Sequence, residues 1–120
     1  MKYSVSMKKN HDFRRLYAKG KSAAMPSLVV YFRQTGRDFS QLGITVSTKV
    51  GKAVQRNLIR RRIREIYRLN EERLPVGLDI IVVARVKSRY VSYQQLERDF
   101  LTACGRLGIL REAAKNGDQK

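Results

Sequence analysis

The sequence has few of the residues that stabilise a fold covalently or through a metal ion. Its 120 residues include one cysteine, one histidine, two prolines and no tryptophan. Because the single cysteine, Cys104, cannot form an internal disulfide, the chain suits a reducing compartment, and we expect a cytoplasmic protein. The content of 42% hydrophobic residues is ordinary for a soluble protein, and 120 residues suffice for a single domain without cross-links.

Long apolar runs are also missing. The N-terminal residues MKYSVSMKKNHDFRRLY contain no stretch of about seven apolar residues, which a secretion signal needs. The longest apolar run, DIIVVA at residues 79–84, is far shorter than the roughly 20 residues that cross a bilayer. We therefore expect no secretion signal and no membrane span, and we expect the polar tail from about residue 112 to fray.

Acidic residues are scarce. Lys and Arg number 26 against 10 Asp and Glu, which leaves a formal net charge of +16. A surplus of this size on a short chain indicates a polyanionic partner. Nucleic acid is the first candidate, anionic lipid the second and unselected surface charge the third.

Hydrophobic periodicity predicts one α+β domain in the order α-β-β-α-β-α, with helices packed on a small mixed sheet. The last predicted strand is apolar on both faces, so we place it at the centre of the sheet, and we pair the first two strands as a hairpin. The last helix carries an apolar stripe from Tyr93 to Leu110, which Cys104 borders as a core residue. The predicted helices are residues 10–20, 53–70 and from about 92 onwards, and the predicted strands are residues 27–33, 41–47 and 79–85.

The second predicted helix concentrates the charge. Its stretch GKAVQRNLIRRRIREIYR, residues 51–68, holds six arginines and one lysine. On a helical wheel at about 100° per residue, the basic residues share one face and the aliphatic residues lie opposite, where they pack on the sheet. Arg56, Arg60 and Arg64 recur every four residues and form a column about 12 Å long that matches a phosphate backbone. The basic face comprises Arg56, Asn57, Arg60, Arg61, Arg64 and Arg68, and the aliphatic face comprises Val54, Leu58, Ile59, Ile63, Ile66 and Leu69.

A solvated basic face is the alternative interpretation of this helix. Glu65 is the only acid between Gly51 and Asn70, however, so the alternation of opposite charges that is typical of a solvated helix is missing. Arg62 fits neither face, because it falls within the aliphatic arc and would have to extend its guanidinium past the edge of the sheet.

Candidate catalytic groups for a protein nuclease are few. His11 and Asp12 are the only adjacent acid–base pair, and neighbouring side chains on a helix point apart. The sequence has no glycine-rich phosphate loop, no paired cysteines for zinc and no nucleophile motif. We therefore expect no catalytic residue and no metal site in this chain.

The segment VSTKVGKAVQRNLIRRRIREIYR, residues 46–68, resembles the signature of the bacterial ribonuclease P protein subunit. That family joins a strand ending Val-Ser-x-Lys-x-Gly to a helix that begins Ala-Val-x-Arg-Asn and continues through spaced basic residues. The likeness extends to the stretches NHDFRRLYAKG, LVVYF and DIIVVAR. Thr48 departs from the lysine that the family often has, and Arg62 stands where an apolar residue is usual.

The resemblance implies a small α+β fold with a left-handed βαβ crossover, which is rare among such connections. It also implies a protein that binds a catalytic RNA subunit and the 5′ leader of precursor tRNA, and that assists removal of the leader. The RNA would perform the cleavage with Mg²⁺ at its own active site. Neither a membrane nor an obligate protein partner is implied.

The family's binding residues can be placed on this chain by position. Tyr31 and Phe32 are neighbours on a strand and face opposite ways, so one of them should be open to stack a base. Without the resemblance, core packing would be the simpler interpretation of Phe13, Tyr17 and Tyr31. The resemblance assigns RNA-subunit contacts to Lys49, Lys52, Arg56, Asn57, Arg60, Arg61, Arg64 and Arg68, and leader contacts to Phe13, Tyr17 and Tyr31.

Two other functions are compatible with the basic helix. A structural RNA-binding protein, such as a ribosomal component, is the main alternative from another class. A stand-alone protein nuclease is disfavoured because clustered carboxylates are missing from the sequence.

Overall fold

The computed structural model describes residues 2–111, which form a five-stranded mixed sheet and three α-helices. The predicted α+β class, the three helices and the three long strands are confirmed, and the predicted fraying from residue 112 lies outside the described residues. The strands are β1 Ser4–Ser6, β2 Lys21–Ala24, β3 Leu28–Gln34, β4 Ser40–Val46 and β5 Leu78–Ala84, and the helices are α1 Asn10–Lys19, α2 Ala53–Asn70 and α3 Tyr93–Arg106.

The strand order in the sheet is β1-β4-β5-β3-β2. β5 is central, as its apolar sequence predicts, and it pairs antiparallel with β3 and parallel with β4. The predicted hairpin between β3 and β4 is therefore wrong. Both edges of β5 need a partner, and the connection at residues 35–39 is long enough to cross one strand, because five extended residues span ~16 Å and strands two apart are separated by about 10 Å.

The two shortest strands were not predicted from the sequence. β1 pairs parallel with β4, and β2 pairs antiparallel with β3 as the true hairpin of this sheet. Their sequences, SVS and KSAA, are too short to show an alternating pattern. They extend the sheet on both sides of its three long strands.

α2 connects the parallel strands β4 and β5, so the βαβ unit implied by the family resemblance is present. The left-handedness of that crossover connection stays a prediction. No helix within residues 2–111 has the length and apolar character that spanning a membrane requires.

The three helices are divided between the two faces of the sheet. α2 and α3 cover one face, where Val30, Ile80 and Phe100 belong to the main cluster of buried residues. α1 packs on the other face, where Leu16 and Ile81 are buried in a smaller cluster. Cys104 is fully buried in the main cluster, as predicted. The surfaces around α1 and those around α2 are therefore separated by the sheet.

The buried face of α2 is narrower than the predicted one. Ile59, Ile63 and Ile66 are buried as predicted, together with Tyr67. Val54, Leu58 and Leu69 are exposed, which corrects their predicted packing on the sheet. The reason is geometric: one helix packed on a sheet buries a stripe of about a third of its circumference, and the other residues of the aliphatic arc face outward.

The C-terminal end of α3 is set by Gly108. The backbone N–H of Ile109 donates to the Cys104 carbonyl at 3.1 Å, and Gly108 adopts a φ of 75°, which favours glycine. Leu107 and Leu110, which were predicted to continue the helical stripe, therefore follow the helix and are half-buried.

A carboxylate at the end of α2 holds β1 in place. Glu71 accepts hydrogen bonds from the backbone N–H of Lys2 at 2.8 Å, the backbone N–H of Tyr3 at 2.9 Å and the Ser4 hydroxyl at 2.6 Å. Burial alone would raise the pKa of Glu71, but these hydrogen bonds outweigh it and lower the pKa below its usual value. The first strand thus depends on an ionised Glu71.

Candidate nucleic-acid interface

Two of the three predicted leader residues form an aromatic pair on the α1 face of the sheet. The rings of Tyr17 and Tyr31 meet edge to face, with centroids 4.9 Å apart. Tyr17 is 42% exposed, and its hydroxyl shares a hydrogen bond with the Thr45 hydroxyl at 3.2 Å. Tyr31 is half-buried, whereas its neighbour Phe32 is buried in the main cluster on the other face. One of these two neighbours is therefore open, as the alternation predicted, and it is Tyr31.

Phe13, the third predicted leader residue, packs more tightly. It is half-buried against the cluster of Leu16 and Ile81. A Cβ atom added at Gly43 would lie 2.8 Å from the Cε1 and Cζ atoms of the Phe13 ring, so the absence of a side chain at Gly43 makes room for this ring. Phe13 thus supports the spacing between α1 and the sheet as much as it lines the cleft.

The floor of this cleft continues beside the aromatic pair. Thr45, Val83 and Val29 pair across β4, β5 and β3, and each is half-buried although it lies in the middle of the sheet. α1 therefore leaves part of the sheet open. An open, mildly apolar floor beside two tyrosine rings can accept the faces of unpaired bases.

The turn before α2 is rigid and presents two lysines. The Ser47 hydroxyl accepts a hydrogen bond from the backbone N–H of Lys49 at 3.2 Å, and the Gln55 amide oxygen accepts one from the backbone N–H of Lys52 at 3.1 Å. A side chain at Gly51 would collide with that Gln55 oxygen. Both predicted lysines, Lys49 and Lys52, are exposed at the start of α2, a position that favours anions.

The predicted basic face of α2 is only partly free. Arg56 is half-buried and donates from Nε to the Gly51 carbonyl at 3.1 Å, while Arg60 is half-buried and donates to the Asn57 side-chain oxygen at 3.2 Å. Arg61 and Arg64 are exposed. Within the column, Arg56 and Arg60 therefore lie at the edge of the buried stripe, whereas Arg64 faces solvent.

Arg68 differs from the other predicted RNA contacts because an acid pairs with it. Its Nε and Nη2 atoms donate to the two carboxylate oxygens of Glu65 at 3.0 and 2.6 Å. The hydrogen bonds from Arg68 lower the pKa of Glu65, which therefore stays ionised. Arg68 carries less uncompensated charge than the predicted set implied.

A second basic segment was missed in the sequence analysis. The short 3₁₀ helix Val86–Arg89 packs against the turn Thr48–Val50 that precedes α2. It exposes Lys87, and the guanidinium of Arg89 lies 5.5 Å from the ring centroid of Tyr90, which is 72% exposed. The signal in the sequence was ARVKSRY, in which a basic residue stands at every second position and Tyr90 follows the last of them. The turn and this segment enlarge the basic surface at the start of α2.

Arg62 lies outside the core. It is half-buried and lines a cavity between α2 and α3 together with Leu58 and Tyr93. The sequence placed it within the aliphatic arc, but that part of the arc faces α3 rather than the sheet.

The acidic residues near these surfaces are engaged in the fold. Asp99 accepts hydrogen bonds from the backbone N–H and the hydroxyl of Ser27, and Asp79 accepts one from the Gln41 amide at 3.1 Å. His11 Nε2 lies 3.6 Å from the Asp12 carboxylate, closer than predicted, but the same nitrogen is 3.0 Å from the Arg15 guanidinium.

The donor groups on the two surfaces do not fit a magnesium ion. Guanidinium, ammonium, hydroxyl and amide groups line them, and Arg68 already binds both oxygens of the Glu65 carboxylate, whereas Mg²⁺ prefers carboxylate and phosphate oxygens. Within residues 2–111, moreover, no three His, Cys, Asp or Glu residues cluster closely enough to hold a metal ion.

A basic helix on one face of a small mixed sheet and an aromatic cleft on the other define a class of protein: a compact α+β protein that binds nucleic acid. Comparison with known proteins identifies the family. The family described as Ribonuclease P matches residues 1–108. The Ribonuclease P protein component of Clostridioides difficile (strain 630) is 42% identical over 104 residues, which cover 86% of this chain and 91% of that protein.

Other relatives agree. The Ribonuclease P protein component of Alkaliphilus oremlandii (strain OhILAs) is 40% identical over 113 residues, which cover 94% of this chain and 99% of that protein. The structure of Staphylococcus aureus RNase P protein matches with a TM-score of 0.78 and 34% identity, over 91% of this chain and 98% of that chain. This chain therefore belongs to the bacterial ribonuclease P protein family, the protein subunits of a tRNA-processing endoribonuclease. The ribosomal alternative is set aside.

Proposed function

We propose that this chain binds the RNA subunit of ribonuclease P through the basic surface of α2 and the turn before it, and binds the 5′ leader of precursor tRNA in the cleft between α1 and the sheet. The observation that supports this most strongly is the separation of the two surfaces. The aromatic pair of Tyr17 and Tyr31 lies on the α1 face, while α2 packs on the opposite face. One molecule can therefore hold the two RNAs at the same time.

The chemistry of each surface suits its proposed ligand. Exposed guanidinium groups form bidentate contacts with phosphates whatever the base sequence, as is needed along a folded RNA. Tyrosine rings in an open cleft stack on unpaired bases with little sequence preference, as is needed for leaders of different sequence. The Thr45 hydroxyl, which the Tyr17 hydroxyl fixes, can in addition hydrogen-bond to a base edge or a ribose.

Under this proposal the RNA subunit cleaves the phosphodiester, with Mg²⁺ bound at the RNA. This is supported by the roles of Asp79, Asp99 and Glu71, each of which is committed to a structural hydrogen bond in the protein. The protein contributes positioning: it neutralises phosphates and holds the leader, so that less Mg²⁺ is needed to bring enzyme and substrate together. Both RNA partners are cytoplasmic molecules, and we place the protein there.

The test is reconstitution of precursor-tRNA cleavage with the RNA subunit encoded in the same genome. At low Mg²⁺ concentration the protein should increase kcat/KM strongly, and at high Mg²⁺ concentration the RNA alone should cleave. Equal rates with and without the protein at low Mg²⁺ would refute the proposed function. Cleavage by RNA-free protein would instead indicate a protein nuclease.

Leader binding is tested separately with Tyr17→Ala and Tyr31→Ala. Each should weaken the affinity for precursor tRNA by about 1–3 kcal/mol per stacked base lost, and should leave the affinity for mature tRNA unchanged. Tyr3→Ala is the matched control, because Tyr3 is 45% exposed but lies beside Glu71 at the opposite edge of the sheet. Equal losses for precursor and mature tRNA would contradict the assignment of the cleft.

A further inference from the structure

A shallow cavity of about 310 Å³, which is wide open to solvent, lies between α2 and α3, apart from the aromatic cleft. It is lined by Leu58, Arg61, Arg62, Glu65 and Tyr93. Its volume is at the lower end of the range for sites that bind small organic groups. α2 and α3 lie on the face of the sheet opposite to α1, so this cavity and the proposed leader cleft cannot share one bound segment.

The charge of the cavity is positive despite the presence of Glu65. Both oxygens of that carboxylate are bound by Arg68, which lies outside the cavity lining. Arg61 and Arg62 form no hydrogen bond or ion pair with a side chain among the described residues. Two guanidinium groups are therefore available at the rim for an anionic ligand.

The walls of the cavity are apolar and aromatic. Leu58 is 38% exposed, although leucines on a helix packed against a sheet are usually buried. The Tyr93 ring is half-buried at the first position of α3, and the Ser92 hydroxyl caps this helix by accepting a hydrogen bond from the backbone N–H of Gln95 at 3.0 Å. Tyr93 is thus held on a rigid helix end with part of its ring open.

We propose that this cavity takes one unpaired nucleobase of the RNA subunit, held between the Tyr93 ring and Leu58, while Arg61 and Arg62 bind the phosphates on either side of it. This inference rests on the proposed function, because it assigns a contact within the RNA-subunit complex. An aromatic face, an aliphatic wall and guanidinium groups at the rim are the three groups that recognise an unstacked nucleotide. The proposal also accounts for the exposure of Leu58 and for the position of Arg62.

Charge disfavours the other occupant of an exposed apolar site, a second copy of this chain. In a symmetric dimer the same patch meets itself, so Arg61 and Arg62 would face the identical arginines of the partner. The chain carries a net charge of +16, and Glu65 is already paired, so this repulsion would lack compensation. An RNA ligand supplies the missing negative charge.

The first experiment places a fluorophore in the cavity. The natural chain has no tryptophan, so Tyr93→Trp introduces a single reporter. Titration with the RNA subunit should quench its fluorescence, because a base stacks on the ring. Tyr3→Trp, at the opposite edge of the sheet beside Glu71, is the control and should change little. If the fluorescence of Tyr93→Trp changes with protein concentration in the absence of RNA, the cavity lies in an interface between two copies of this chain, and the proposal is overturned.

The second experiment separates base contacts from phosphate contacts through their salt dependence. Tyr93→Ala should weaken RNA-subunit binding about 10-fold without changing the slope of log affinity against log salt, because no phosphate contact is lost. Arg61→Ala and Arg62→Ala should each reduce that slope by about 0.7–0.9. Tyr93→Phe keeps the ring and should bind like the natural protein.

A matched pair of aliphatic variants tests the wall of the cavity. Leu58→Ala should weaken RNA-subunit binding, whereas Val54→Ala, one turn earlier and 81% exposed, should not. Melting temperatures of all variants distinguish lost contacts from lost folding. Normal binding by the natural protein, with no effect of Tyr93→Ala or Leu58→Ala, would sink the cavity proposal and leave the proposed function intact. Failure of the natural protein to bind the RNA subunit would refute the proposed function itself.

Discussion

The contact between Gly43 and Phe13 gives the sharpest test of the cleft. In Gly43→Ala the new methyl group would lie 2.8 Å from two carbons of the Phe13 ring, and the ring must retreat by about 0.7 Å to reach the usual carbon–carbon contact of 3.5 Å. Overpacking of this kind costs ~1–3 kcal/mol. The lower entropy of the unfolded chain offsets roughly 0.4–1 kcal/mol of it, so we expect a net destabilisation of about 1–2 kcal/mol.

A double-mutant cycle isolates this contact. In a Phe13→Ala background the ring is gone, so Gly43→Ala should become neutral or stabilising, and the coupling free energy should be about 1–3 kcal/mol. Urea denaturation of the four proteins measures it. If the change in unfolding free energy of the double mutant equals the sum of the two single-mutant changes within about 0.5 kcal/mol, Phe13 does not contact Gly43. The described spacing of α1 from the sheet would then be wrong.

The same substitution should also affect binding. Displacement of Phe13 shifts α1 relative to the sheet, so Gly43→Ala should weaken the affinity for precursor tRNA more than that for mature tRNA. RNA-subunit binding should be unaffected, because α2 lies on the opposite face. Equal weakening of all three affinities would point to general misfolding.

Three further predictions follow from individual side chains. Replacement of Arg56, Arg60 and Arg64 together by alanine should lower the melting temperature only slightly, through loss of the hydrogen bonds to Gly51 and Asn57. It should reduce the slope of log RNA-subunit affinity against log salt by about 2.1–2.7, and an unchanged slope would show that these arginines do not contact the RNA. Because the pKa of Glu71 is lowered in the fold, the stability it contributes is present above its unfolded pKa of about 4.3 and is lost as the pH falls through the folded value. Glu71→Gln should therefore reduce stability at pH 7 and flatten its loss below about pH 4.3 in urea denaturation, and an unaltered pH profile would contradict the anchoring of β1. Burial raises the pKa of Cys104 to about 12, so iodoacetamide at pH 8 should label this thiol only after denaturation, which mass spectrometry measures.

The helices and strands that were predicted correctly are those long enough to show a clear hydrophobic pattern. α2 was predicted with its observed bounds because its apolar and basic residues alternate with a helical period over five turns. The unbroken apolar sequence of β5 predicted its central place, since only a strand buried on both faces tolerates it. β1 and β2 were missed because three and four residues carry no period, and β1 is held by the distant carboxylate of Glu71.

The features of the site that could be predicted from the sequence are those set by the regular period of a strand or a helix. Strand alternation predicted that one of Tyr31 and Phe32 would be open, the resemblance selected Tyr31, and the helical wheel predicted the outward direction of Arg64. The pairing of Arg68 with Glu65 and the half-burial of Arg56 depend on rotamers and on the neighbouring turn, which a wheel does not contain. The cavity at Tyr93 requires two helices from different parts of the sequence, so no local pattern could indicate it.

The position of β5 also sets the order in which the protein can be assembled. β3 and β4 leave the ribosome before β5, and each already has a short partner, β2 or β1. These two pairs join into one sheet only through β5, which begins at Leu78. The arginine-rich helix α2 is therefore synthesised before the complete sheet exists for that helix to cover. Non-local pairings of this kind slow folding, because the intervening chain must be ordered before they form. A chain that stops before β5 lacks the strand that joins the two halves of the sheet and the core residues Leu78, Ile80 and Val82, although it already carries the basic helix.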